Sequence, residues 1–220
     1  MIKIAFLGDS LVDTLFFGDK FWDLELLLQQ DFPKKKFELL NYGVGSTDAE
    51  LGLYRLTNDY EYKERGRFLS SLSGLRPEII IIGDFTYNHW TDSQADLQKY
   101  SSTIQKIISA SKEIADKVWL YQSMTPNKKL YVTGIPWLGW DEIKRVKEYK
   151  TTRLYQSEFS KIVESSKLPT LNCLDKTLIN GDGDPKYISN VDYIHPSAAM
   201  RQLVADLVVN QLTVKLSTLT

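Results

Sequence analysis

Two hydrophobic rhythms alternate along the chain. Residues 2–7 (IKIAFL), 36–40 (KFELL), 78–82 (EIIII) and 117–122 (KVWLYQ) are nearly continuous apolar runs, and a shorter one fits around residues 170–174. Such runs are the mark of strands covered on both faces, as in a parallel sheet. Between them the period lengthens. Leu97, Tyr100, Ile104, Ile107, Ile108, Ile114 and Ala115 recur at three and four residues, the stripe of a helix lying on a sheet. Residues 21–30 and 141–165 carry enough apolar positions for two more helices, and Met200, Leu203, Val204, Leu207 and Val208 mark a closing one. Strands alternating with helices predict an α/β chain, a three-layer α/β/α sandwich around a mostly parallel sheet. Two loops stand out, SMTPNKKLYVTGIPWLGW at 123–140 and NGDGDPKYISN at 180–190. Both follow carboxyl-terminal strand ends, where an open α/β sheet places its ligand crevice.

Composition narrows the picture. With 220 residues, 43% of them apolar, the chain can bury one substantial core, so a single domain over 1–220 is expected. Lys and Arg (27) nearly balance Asp and Glu (28), and the longest basic run, Lys34-Lys35-Lys36, is too small for a nucleic-acid footprint. Those lysines suit the solvated start of an edge strand. A lone cysteine, Cys173, rules out an internal disulfide and reads as a buried, inert thiol. No apolar stretch has the length of a membrane span, and the N-terminal run reads as a strand rather than a secretory signal. A cytoplasmic protein is the expectation.

Only two histidines, His89 and His195, offer a base to activate a serine hydroxyl. Asp192 lies three residues before His195, within reach of its Nδ1 proton through one local turn. Pro196 and Ser197 then read as the start of the last helix, with Ser197 as a cap. Ser10, just past the first strand in GDSL, sits where backbone N–H groups point at bound anions; it or Asp9 also suits a helix cap. His89 has no acid as neatly placed. GxxxxGK[ST] and GxGxxG do not occur, which argues against a nucleotide cofactor, and NGDGDPKY lacks the spacing of a calcium loop. No cofactor and no metal are expected.

GDSL at 8–11, NYGVGST at 41–47, GDFTYN at 83–88 and DYIH at 192–195 together resemble, in order and spacing, the four sequence blocks of the GDSL or SGNH hydrolases. The blocks run from one end of the chain to the other. The resemblance implies a flavodoxin-like sandwich with about five parallel strands. It also implies a serine esterase or thioesterase acting on small, lipid or sugar esters, with Ser10 as nucleophile, His195 as base and Asp192 orienting it. Its oxyanion donors are the backbone N–H of Ser10, a second-block N–H and a third-block asparagine. Here the pattern departs. The glycine expected five residues after Asn41 is Ser46, with Gly45 as the alternative donor, and the expected asparagine at 85 is Phe85, leaving Asn88 only if the loop bulges by three residues. Tyr87, His89, Trp90, Tyr131, Trp137 and Trp140 are candidates to line the substrate groove. A ligand-binding domain of the same fold, without turnover, is the competing reading.

Overall fold

The computed structural model describes residues 1–217. Five parallel strands form the central sheet: β1 (Ile2–Gly8), β2 (Phe37–Gly43), β3 (Ile79–Gly83), β4 (Lys117–Gln122) and β5 (Thr170–Asn172). Their spatial order is β2-β1-β3-β4-β5, the flavodoxin-like arrangement, so the sheet reverses direction beside β1. The longer helices are α1 (Trp22–Asp31), α2 (Ala49–Thr57), α3 (Gln94–Ile114), α4 (Glu142–Ser166) and α5 (Ala198–Ser217).

Because side chains alternate across a strand, β1, β3 and β4 each feed two cores. Ile4 and Phe6, Ile79 and Ile81, and Trp119 and Tyr121 face α1 and α5. Their neighbours Ala5 and Leu7, Ile80 and Ile82, and Val118 and Leu120 face α2, α3 and α4. This gives the predicted three-layer sandwich, and it explains why the strands read as unbroken apolar runs. β2 is an edge strand, and Lys34, Lys35 and Lys36 lie exposed just ahead of it. Ser197 caps α5, its Oγ accepting the Met200 N–H at 3.2 Å. Among the described residues no helix is long and apolar enough to cross a membrane.

Two features depart from the sequence reading. Helix α2 was not anticipated, because its nine residues include Gly52 and show too short a stripe; Asp48 starts it by accepting the Leu51 N–H at 3.1 Å. A small antiparallel ribbon, Tyr60–Tyr62 with Arg67–Leu69, also escaped notice, since three residues per strand carry no readable period.

Candidate active site

β1 and β2 pair in register from Ile2 with Phe37 to Gly8 with Gly43, so the loops that follow leave the sheet side by side. After Gly8 the chain makes a single helical turn, Ser10–Asp13, capped by Asp9, whose Oδ1 accepts the Leu11 N–H at 2.9 Å. Ser10 is the first residue of that turn, where an N–H has no acceptor within the helix. Thr14 Oγ1 donates to the Ser10 carbonyl at 2.6 Å. Asp13 locks the turn to its surroundings, accepting from Arg67 Nη2 at 2.8 Å and Asn41 Nδ2 at 3.2 Å, with Arg65 Nε at 3.5 Å. Gly43 lets the two loops touch, since a Cβ there would overlap the Asp13 backbone.

The two second-block donors behave differently. The Gly45 N–H donates to the Tyr62 hydroxyl at 3.0 Å. Ser46 adopts φ 56°, the left-handed region that glycine enters freely and serine does not. The loop therefore does require the conformation of a glycine, and serine adopts it at a cost. Ser46→Gly is expected to raise unfolding stability by ~0.5–1 kcal/mol, strain relief less the entropy of a glycine in the unfolded chain. Urea denaturation measures it; a loss of stability instead would mean that the Ser46 side chain holds the loop.

The third segment carries Asn88 three residues beyond Phe85, to the edge of the Ser10 cleft. Phe85 takes φ 52° and turns its ring inward against Gly52, Thr86 and Tyr87 are buried, and Asn88 reaches the cleft that Ser10 lines. Its amide, however, donates to Asp9 Oδ2 at 3.2 Å and to the Thr47 carbonyl at 2.9 Å. Asn88 thus ties the Ser10 turn to the Ser46 loop. Burial, and then the charge of nearby Asp84, pushes the Asp9 carboxyl up to about 7, against the pull of the Leu11 N–H, His195 and Arg55. Asp84 is itself raised by burial although Ser123 donates to it from both N and Oγ, at 2.8 and 2.6 Å.

The fourth segment is a turn built on Asp192. One oxygen accepts the N–H groups of Ile194 (2.9 Å) and His195 (3.0 Å), and the other lies 2.7 Å from His195 Nδ1. Tyr193 closes the turn with φ 57°. Burial alone pulls the Asp192 carboxyl up, but the His195 ring and the two backbone donors outweigh it and hold it down at about 2. An ionised carboxylate cannot donate, so the proton between the two groups sits on Nδ1, and in the neutral ring Nε2 is then the acceptor. The 123–140 loop packs against this turn: a Cβ on Gly134 would overlap the Val191 carbonyl and crowd Asp192 Cα.

Ser10, Ser46, Asn88 and His195 line one cleft of about 710 Å³. Of the groove candidates, Tyr87, Trp90, Tyr131, Trp137 and Trp140 line it as well. His89 does not. Its ring stacks on Tyr155 at 3.9 Å and meets the Tyr100 ring edge-on at 5.1 Å, and burial lowers its pKa to about 4, so it is a neutral packing residue behind the cleft wall. Trp90 pairs with Trp140, at 5.6 Å and 84°. Cys173 is fully buried and its thiol pKa is pushed up by that burial. The sequence reading did not find Arg55, Asp13 or Arg67, which hold the strand ends and the Ser10 turn together; no periodicity reports an isolated charged residue facing inward.

No family model matches the chain, and no curated protein matches it. Solved structures do. A lipase/acylhydrolase from Enterococcus faecalis aligns with TM-score 0.61 and 17% identity over 98% of this chain and 97% of its own. An acetylxylan esterase from Geobacillus stearothermophilus aligns with TM-score 0.62 and 16% identity over 95% and 93%. A G-D-S-L family protein from Desulfitobacterium hafniense aligns with TM-score 0.63 and 12% identity over 96% and 99%. At these identities the likeness is one of fold: the chain shares the three-layer fold of the GDSL/SGNH lipases and esterases over nearly its whole length.

Proposed function

We propose that the protein is a serine hydrolase of carboxylic esters or thioesters, working through an acyl-enzyme. The observation that carries this reading is one cleft lined by both Ser10 and His195, with His195 held by Asp192 at 2.7 Å. Ser10 Oγ attacks the carbonyl carbon and gives its proton to His195 Nε2. The carbonyl oxygen becomes an oxyanion facing the N–H groups of Ser10 and Ser46. When the tetrahedral intermediate collapses, the bond to the leaving oxygen breaks and His195 hands that oxygen the proton. A water then attacks the acyl-enzyme, losing a proton to His195, which returns it to Ser10 as the acid leaves. Overall, ester and water become acid and alcohol, with no redox change.

A binding domain without turnover is favoured by one observation, the commitment of both Asn88 amide protons to Asp9 and Thr47. A third oxyanion donor contributes about 3 kcal/mol, or a few hundredfold in rate. In the catalytic reading substrate draws the Asn88 amide away from Asp9.

A fluorophosphonate probe separates the two. The expected result is one probe per chain, mapped by peptide mass to Ser10, with turnover of p-nitrophenyl acetate lost in step with labelling. An unlabelled Ser10, or full turnover by labelled protein, would overturn the proposal.

A further inference from the structure

The cleft is not the same on its two sides. One wall comes from the 123–140 loop and the segment after β3, and it presents Trp90, Trp137 and Trp140 with Tyr87 and Tyr131 beneath them. A second group of lining residues, Asp13, Thr14, Tyr62 and Arg65, comes from the end of the Ser10 turn and from the small ribbon with its connecting turn. Resting on the reading of Ser10 as nucleophile, we infer that the alcohol half of the ester carries a flat ring that lies on the tryptophan wall, while the acyl half is short and meets the charged wall.

The assignment of halves to walls follows from where the proton goes. His195 must deliver its proton to the leaving oxygen, so the alcohol departs on the His195 side of Ser10. That side is the aromatic one. Gly134 packs its backbone directly on Val191 and Asp192, and Ile194 joins the 131–140 residues in lining the cleft. The acyl group, on the far side of the carbonyl, points toward Asp13 and Arg65.

The chemistry of each wall sets what it accepts. Trp137 is 81% exposed and Trp90 55%, a large apolar surface for a protein to leave in water around a cleft. Trp90 and Trp140 meet edge to face, their ring centroids 5.6 Å apart, so the two indoles brace each other at the cleft. Lys144 Nζ lies 4.9 Å over the Trp140 ring and helps to fix it. Indole faces reward flat partners, an aryl ring or the C–H face of a pyranose, more than flexible chains. In the charged group the Arg65 side chain is 59% exposed while paired with buried Asp13. A long alkyl chain laid there would strip water from that ion pair, whereas an acetyl or butyryl group leaves it wet.

The test compares esters whose alcohols have similar basicity. Wild type is expected to hydrolyse benzyl acetate with a kcat/KM about tenfold above butyl acetate, and p-nitrophenyl acetate at least about tenfold faster than the octanoate, ~1.4 kcal/mol in each case. Trp140→Ala and Trp137→Ala should each shrink the benzyl-to-butyl ratio toward one, chiefly by raising KM for benzyl acetate. Trp137 is so exposed that its removal does not threaten folding. An acetylated methyl pyranoside set against benzyl acetate separates a sugar ring from an aryl ring as the better occupant. Preference for octanoate, or tryptophan variants that slow benzyl and butyl acetates alike, would overturn the inference. Ser10→Ala is run alongside: undiminished turnover there condemns the serine mechanism itself, whereas a silent Ser10→Ala with no ring discrimination in wild type condemns only the assignment of the walls.

Discussion

Asp192→Asn is expected to lower kcat by about 10⁴-fold while leaving the fold intact, the scale on which a serine hydrolase loses rate when its imidazole is held in the wrong tautomer. The reason lies in the two faces of the Asp192 carboxylate. One oxygen accepts two backbone donors, Ile194 N–H and His195 N–H, and the other accepts from His195 Nδ1. An asparagine has one acceptor oxygen and one donor nitrogen. Two N–H groups claim the oxygen, so the amide nitrogen faces Nδ1 and donates to it. The imidazole proton then moves to Nε2, and the ring can no longer take the proton of Ser10. Initial rates with p-nitrophenyl acetate measure the loss; a variant within tenfold of wild type would remove Asp192 from the mechanism. A second readout does not depend on turnover. The folded carboxyl sits at about 2, below its value of 3.8 in a free chain, so its contribution to stability is complete above about pH 4 and fades as pH falls toward 2. Urea denaturation should therefore show the gap between wild type and Asp192→Asn narrowing between pH 5 and pH 2.5.

What could be read in advance divides along physical lines. Strands packed on both faces announce themselves, and β1, β3 and β4 lie within a residue of their expected limits because nothing but apolar side chains fits there. β2 runs on to Gly43 rather than stopping at 40, since Asn41 and Gly43 break the apolar pattern while continuing the ladder with β1. Asp192 and His195 were legible because the partners are three residues apart. The place of Asn88 was legible only as a condition, that the loop bulge by three residues; Phe85 buried over Gly52 brings Asn88 to the cleft, where its amide is held by Asp9 and Thr47. What escaped was contact between distant segments. His89 looks like a cleft residue from its place after β3, yet Tyr155, from a helix sixty-odd positions later, takes its ring face. The grip of Asp9 and Thr47 on Asn88 joins three loops, and no spacing within any one of them reports it.

Arg55 is the clearest of these long-range constraints, and its removal is the largest expected loss of stability. It is 0% exposed on α2, with Nη2 donating to the Gly8 carbonyl at 3.0 Å and Nη1 to the Tyr42 carbonyl at 2.6 Å, while Nε returns to Leu51 O at 3.2 Å. Burial lowers even this guanidinium to about 10, which leaves it charged at neutral pH. The two carbonyls it holds terminate β1 and β2, the strands that launch the Ser10 turn and the Ser46 loop. Arg55→Ala takes the side-chain donor from the Tyr42 carbonyl, at about 1–3 kcal/mol, leaves the Gly8 carbonyl with the Val44 N–H at 3.2 Å, and opens a cavity where a large buried side chain stood. A loss of about 4 kcal/mol follows, lowering Tm by roughly 10 °C for a chain of this size. Arg55→Met separates the causes, because it refills most of the volume and supplies no donor. If the carbonyl clamp is the main term, methionine recovers less than half of the alanine loss by calorimetry; a methionine variant as stable as wild type would show that Arg55 only fills space. The charge carries a further consequence. Arg55 is one of the groups that draw the buried Asp9 carboxyl downward, so in Arg55→Met that carboxyl should keep its proton to higher pH, as a side-chain carboxyl NMR titration would report. One cation behind the strand ends thus supports both the backbone that presents Ser10 and the ionisation of the acid that grips Asn88.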